Sequence, residues 1–191
     1  MQYNREQGET LMKQSIPSWQ IGGFVFVGAL GTLLHFVFDW SGGNALAALF
    51  SAVNESVWEH MKLLFYPMVL FAWWEWRVWG RNDSRFWCIK LAGVLLGLVQ
   101  VPVLYYTYTG TLGLSADWFN ITIFFIAAAA ALYTETRLFL GESGCALRGK
   151  MAVSVLLLIA LLFTVLTFVP PKIPLFRDPV TGTYGYAVSP P

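Results

Sequence analysis

The sequence predicts an all-α membrane protein, a polytopic bundle of five transmembrane helices with a short interfacial helix before the second. Of the 191 residues, 57% are hydrophobic and only 12% are charged, whereas soluble domains carry about 25% charged residues. Five stretches approach the roughly 20 apolar residues that a helix needs to cross a bilayer. Tryptophans gather near the ends of several of these stretches, as they do at membrane interfaces. This composition excludes a nucleic-acid-binding module, a disordered chain and a disulfide scaffold, and it disfavours an ordinary soluble enzyme.

The predicted spans divide the chain into a polar N-terminal arm (1–17), a transmembrane domain (18–169) and a tail (170–191). The five spans are predicted at residues 18–38, 58–78, 86–108, 118–136 and 151–169. Pro67 and Pro102 fall inside two of them, and we expect kinks there because neighbouring helices can satisfy the backbone groups that a proline frees. An apolar run at 45–53 is too short to span the bilayer and predicts the interfacial helix.

Basic residues predict the orientation of the spans. Nine of the twelve Lys and Arg fall at the end that holds the arm and the turns at 77–90 and 137–150. Because loops rich in Lys and Arg stay in the cytoplasm, we predict a bacterial inner-membrane protein with its N-terminus inside and its C-terminus outside. Cys88 and Cys145 then lie on the reducing side, so we expect no disulfide between them.

Most charged residues at the predicted inner end are expected to form a solvated rim that sets topology. This group includes Glu75, Lys90 and Glu135. At the outer end, His35 and Asp39 are four residues apart and share one helix face. Small residues at Gly28 and Gly31 lie on about the same face and would let another helix approach closely. We therefore expect His35 and Asp39 to point into the bundle.

A polar stripe opens the second predicted span. Its residues recur at i, i+4, i+7 and i+11 and run from the outer surface toward the middle of the membrane. Because ionisable residues inside a membrane are costly, these positions, together with polar residues of the third span, form a candidate ligand-binding site. The candidate residues are Glu55, Glu59, Lys62, Tyr66, Gln100 and Tyr105.

Three hypotheses explain this outer cluster. In a purely structural one, Ser56 and Glu59 form a capping box at a helix start, and the protein is a non-catalytic structural or partner subunit. In the second, the cluster is an outward-facing pocket that binds or passes a small polar ligand or ion. In the third, a divalent metal such as zinc or iron supports a membrane-embedded hydrolase. The candidate metal ligands are His35, Asp39, Glu59 and His60. The sequence leaves open whether the protein is an enzyme and whether it forms an oligomer.

One segment resembles the signature of a small bacterial multi-pass membrane family of unknown function. It runs from Asn54 to Pro67 and reads NESVWEHMKLLFYP. The stretch LHFVFDW at 34–40 and the tail from Pro170 to Gly185 are similar to features of the same family. The resemblance covers most of the chain and implies that these residues form the recognisable core of the family. It implies no activity, cofactor or mechanism.

Overall fold

The computed structural model describes residues 2–141, 145 and 147–186, with side chains described from residue 14 onward except at 117. Within these residues the fold is helical, apart from a single antiparallel bridge between Arg177 and Tyr184. The helices are α1 (Gln2–Trp40), α2 (Ala45–Ala48), α3 (Val57–Val78), α4 (Phe86–Leu112), α5 (Asp117–Leu140) and α6 (Gly149–Phe168), with 3₁₀ turns at Gly80–Asn82 and Pro174–Phe176.

Four helices are long and apolar enough to cross a membrane. They are Gln14–Trp40 within α1, Phe86–Leu112, Trp118–Leu140 and Gly149–Phe168. These helices identify the chain as a helical membrane protein. Helix α3 has 22 residues, which is roughly 33 Å of helix, but charged residues along it lower its apolar character. The fifth predicted span therefore stays a prediction.

Helix α3 contacts four other long helices, α1, α4, α5 and α6. Its buried apolar residues, among them Leu64, Phe65 and Met68, pack with α4, α5 and α6 into the main core. A Cβ atom on Gly31 of α1 would lie 2.8 Å from the carbonyl oxygen of Leu63 and 2.5 Å from Cζ of Phe124. Only glycine lets α1 approach α3 and α5 so closely, and His35 follows one turn later on the same helix.

Two predicted boundaries differ from the structure. Helix α1 begins at residue 2, so the predicted polar arm continues the first span as helix. The predicted helix at 45–53 is reduced to the four residues of α2, which Asn44 caps by accepting a hydrogen bond from the backbone N–H of Leu46. The chain then turns, and Ser51 and Ala52 are buried. Pro67 and Pro102 lie inside α3 and α4, as predicted.

The expectation that the two cysteines stay unpaired is wrong. Cys88 is disulfide-bonded to Cys145, and their Cα atoms are 6.1 Å apart, within the range that a disulfide requires. The expectation considered only the compartment. It missed that Cys145, after α5, lies beside Cys88 at the start of α4.

Candidate functional site

Three side chains with metal-ligating atoms converge at one end of the bundle. His35 comes from α1, Glu55 from the loop before α3, and His60 from the first turn of α3. The Nε2 atom of His35 is 3.7 Å from Oε1 of Glu55, and Nε2 of His60 is 3.5 Å from Oε2 of Glu55. One ligating atom from each residue lies within 4.8 Å of the other two. Ligands held at about 2.0–2.2 Å around a tetrahedral ion are themselves about 3.3–3.6 Å apart, close to these two distances.

The ring of His60 is oriented for ligation. Its Nδ1 atom is 2.9 Å from the backbone carbonyl of Ser56. Because a carbonyl oxygen can only accept, Nδ1 carries a hydrogen, and in the neutral imidazole the lone pair is then on Nε2, the nitrogen nearer Glu55. Metal-binding histidines are held in this way, with the second ring nitrogen donating to a carbonyl or carboxylate. His35 lies against His60, with ring centroids 5.4 Å apart.

The residues around Glu55 are fixed by hydrogen bonds from the loop and the tail. Asn54 accepts from the backbone N–H of Ser56 at 3.0 Å and donates from its amide to the carbonyl of Gly185 at 3.2 Å. The backbone N–H of Glu55 donates to Oδ2 of Asp178 at 3.4 Å. The tail therefore folds back over this end of the bundle and holds the backbone that presents the Glu55 carboxylate.

Asp178 organises the turn through which the tail makes this contact. Its Oδ1 accepts from the backbone N–H groups of Val180 at 2.7 Å and Thr181 at 3.1 Å. Burial by itself would raise the pKa of Asp178, but the N–H groups of Thr181, Val180 and Glu55 outweigh it and hold that pKa below its ordinary value. The ionised carboxylate is thus the form that the turn stabilises.

A small cavity adjoins the cluster. Its volume is about 30 Å³, and Glu55 and His60 line it together with Tyr105 and Asn120. Since one water needs about 10–15 Å³ by this measure, the cavity has room for two or three. Its remaining lining is apolar and includes Val101 and Phe124. The arrangement offers three protein ligands and space for a fourth, non-protein one.

Glu59 and Lys62 form a separate closed pair. Their side chains are 1% and 0% exposed, and Lys62 Nζ is 2.5 Å from Oε2 of Glu59. Thr167 donates to Glu59 and accepts from Lys62, both at 2.9 Å. The backbone of Val53 donates to Glu59, and the carbonyl of Ala48 accepts from Lys62. Both carboxylate oxygens of Glu59 and the ammonium group of Lys62 are therefore engaged with partners inside the bundle.

The structure brings two of the four predicted metal ligands together. His35 and His60 lie side by side, whereas Asp39 is exposed and neither Asp39 nor Glu59 belongs to the cluster. Glu55, one of the predicted ligand-binding residues, lies with the two imidazoles. Ser56 caps α3, so Glu55 precedes the helix and does not follow the helical spacing that groups it with Glu59. The capping residue was the signal that could have revealed this.

The other predicted ligand-binding residues lie in different parts of the bundle. Tyr105 lines the cavity. The ring of Tyr66 packs between Phe50 and Phe65 and contacts Phe163, so it belongs to the packing of the core. Gln100 is half-buried and is not part of the cavity lining.

The predicted solvated rim at the opposite end is also wrong for three of its members. Glu75, Lys90 and Glu135 are at most 1% exposed and pair with one another. They come from α3, α4 and α5, so no local sequence spacing connects them. Long-range packing alone reveals this cluster.

Residues 9–186 match a family model described as a family of unknown function, DUF6512. The chain belongs to this family. No curated protein and no solved structure matches the chain. Membership in DUF6512 brings no known activity with it, so function has to be argued from the geometry of the site.

Proposed function

We propose that this DUF6512 protein binds a divalent transition-metal ion, zinc or ferrous iron, through His35, Glu55 and His60. The observation that carries the proposal is the convergence of two imidazole nitrogens on one carboxylate at 3.5 and 3.7 Å. Two histidines and a carboxylate are the protein ligands of many zinc hydrolases and of non-haem iron oxygenases. The oriented ring of His60 adds to this support.

The packing of α3 favours binding over passage through the bundle. Between Lys62 and Glu75, the inward residues include Leu64, Phe65 and Met68, all buried. Glu75 follows Lys62 by 13 positions, which is roughly 20 Å of helix. Polar side chains of the described residues thus form no continuous line from one end of α3 to the other. The same burial of its charges inside the bundle supports α3 as the fifth transmembrane span.

Elemental analysis of the purified protein tests metal binding. We expect about one zinc or iron per chain in the wild type after purification without chelators, and in the matched control Asp39→Ala, whose exposed carboxylate lies on the same helix as His35. His35→Ala and His60→Ala should lose the metal. After chelation, a zinc titration followed by calorimetry should restore one site in the wild type and the control only.

Failure of the proposal would be plain in the same experiment. If the stripped wild type takes up no zinc, iron or cobalt, no such site exists. If His35→Ala and His60→Ala bind as tightly as Asp39→Ala, the metal sits elsewhere. Circular dichroism of each variant shows whether a loss of metal reflects a loss of fold.

The adjoining cavity favours a second candidate, metal-assisted hydrolysis. A fourth ligand in the cavity would be a water whose ionisation the metal promotes near neutral pH. Cobalt substitution tests this, since the visible spectrum of a cobalt site changes when a bound water ionises. We expect a pH-dependent spectrum in the wild type. A spectrum that stays constant across the neutral range would leave the ion without an ionisable water and remove this candidate.

We also propose that the site formed by His35, Glu55 and His60 faces the extracytoplasmic side of the membrane, with the N-terminus in the cytoplasm. The concentration of nine Lys and Arg at the other end supports this orientation. The disulfide between Cys88 and Cys145 opposes it, because it lies at the basic end and disulfides persist mainly in oxidising compartments.

Side-specific thiol labelling decides the orientation. After mild reduction, a membrane-impermeant maleimide should label Cys145 only in permeabilised cells, and Cys145→Ser should abolish that signal. Labelling in intact cells would place the disulfide outside and reverse the orientation.

A further inference from the structure

A buried cluster of charged side chains lies at the end of α3 opposite the proposed metal site of His35, Glu55 and His60. Lys90 of α4 is ion-paired with the Glu75 carboxylate of α3, and its Nζ lies 2.5 Å from Oε2 of Glu135 of α5. Gln20 of α1 donates its amide N–H to Oε1 of Glu75 at 3.2 Å. Gln20 is 4% exposed and the three charged residues are at most 1% exposed. Four helices thus contribute one polar side chain each to a closed site.

The charges in this cluster do not balance. Two carboxylates face one ammonium group, and the surroundings of Lys90 are otherwise the rings of Phe86 and Phe139, at 5.7 and 5.5 Å from Nζ. The nearby arginines of the described residues lie elsewhere. Arg77 lies over Trp73, Arg81 over Trp76 and Arg137 over Tyr133, while Arg85 pairs with Asp83. A net negative charge in such a dry site is very costly, and a proton on one carboxylate removes it.

Gln20 can hydrogen-bond either protonation form of Glu75, and Gly93 leaves room for the Glu135 carboxyl group. The Oε1 atom of Gln20 is buried without a hydrogen-bond partner. An amide can donate to an ionised Glu75 or, turned over, accept from a protonated one, so Gln20 can serve either form. A Cβ atom on Gly93 would lie 2.4 Å from Oε1 of Glu135. Glycine at this position leaves the space that the Glu135 carboxyl occupies.

We propose that Glu75, Lys90 and Glu135 form a proton-binding site that holds one proton at neutral pH. A proton from water converts one of the two carboxylates to a carboxylic acid, and the cluster then carries one positive and one negative charge. The site does not depend on the proposed metal site, since His60 and Glu75 are 15 residues apart on α3, or roughly 22 Å of helix.

Infrared spectroscopy of the protein in lipid nanodiscs tests the proposal. A protonated carboxyl group in an apolar site has a C=O stretching band well separated from ionised carboxylates, and it shifts in D₂O. We expect one such acid per chain in the wild type at neutral pH. Glu75→Gln and Glu135→Gln should each lose the band, because the remaining carboxylate and Lys90 then balance. Asp39→Asn, at the opposite end, is the control and should keep it.

Each outcome decides the matter. A wild type without the acid band at neutral pH would mean that both carboxylates are ionised, and the proposal would be wrong. A band that persists in both single Gln variants would come from another carboxyl group, which also overturns it. Because each Gln variant keeps the shape of the side chain and a balanced ion pair, it should fold. A thermal melt beside the spectrum checks that it does.

Discussion

The two ends of α3 carry the same kinds of side chain under opposite conditions. At one end, Glu55 has 49% of its side chain exposed, and the imidazoles of His35 and His60 are 31% and 27% exposed. At the other, Glu75 and its two partners are almost fully buried. The first cluster is open to solvent and leaves ligating lone pairs available. The second is closed to solvent, and its charged groups pair with one another.

This difference separates two uses of polar residues in a membrane protein. Accessible nitrogen and oxygen atoms around a small cavity can accept an ion from solution. A dry cluster of opposite charges instead fixes the helices that contribute to it, and it can exchange only a proton without breaking apart. Glu59 and Lys62 belong with the second kind, although they lie next to the first. The burial of a charged side chain and the partners it pairs with, more than its residue type, therefore decide what it does in this fold.

The largest expected effect on stability comes from removing Lys90, the cation of the buried cluster that it forms with Glu75 and Glu135. Lys90→Met leaves the buried carboxyl groups of Glu75 and Glu135 without their cation, and we expect a loss of about 3–5 kcal/mol in the free energy of unfolding. Glu135→Gln should cost far less, because it keeps the pair between Lys90 and Glu75. Thermal melts in detergent measure both. Equal losses in the two variants would mean that charge balance does not govern this end.

A smaller effect is expected from closing the space between α1 and its neighbours. Gly31→Ala places a methyl group against the Leu63 carbonyl and the Phe124 ring, and overpacking of this kind costs about 1–3 kcal/mol. It should also displace His35 and weaken zinc binding. The matched control is Gly22→Ala on the same helix, where a Cβ meets no atom within 4 Å. If both variants bind zinc like the wild type, the close approach of α1 does not position His35.

Removing the carboxylate of Asp178 tests whether the tail holds Glu55 in place beside the two histidines. Asp178→Ala removes the acceptor for the backbone of Glu55, and supporting residues of this kind change metal affinity by about 10–100-fold. Zinc titration should show a loss near the lower limit, because the Glu55 contact is long at 3.4 Å. Lys172→Ala, an exposed tail residue, should bind as the wild type does. An unchanged affinity in Asp178→Ala would separate the tail from the site.

The smallest effect concerns acid. The pKa of Asp178 in the folded protein is lowered from its ordinary value of 3.8. Its ionised form therefore contributes stability above about pH 4, and that contribution is lost as pH falls through the lowered pKa. Melting temperatures measured against pH should show wild type and Asp178→Ala converging in acid. A difference that stays constant down to the lowest pH would contradict this assignment.

The sequence was sufficient for the helices and for part of the open cluster. Length and hydropathy predict α1, α4, α5 and α6, since each span depends on local composition, and they place His35 near the end of the first helix. Glu55 was a candidate ligand-binding residue, but its place beside the two imidazoles was not predicted, because it depends on where α3 begins. The buried cluster at the other end of α3 was not predicted, for a different reason. Glu75, Lys90 and Glu135 meet only through the packing of three helices, and exposed rim residues would show the same local pattern.

The tail contacts also constrain biogenesis. Asn54 binds Gly185 across 131 positions, and Gly43 accepts from the hydroxyl of Tyr186 across 143. A ribosome must therefore synthesise α4, α5 and α6 before the loop ahead of α3 acquires these partners. Until then, nothing from the tail secures Glu55. The cluster of His35, Glu55 and His60 is consequently completed late in synthesis. A chain that stalls before the tail would lack the contacts that hold Glu55.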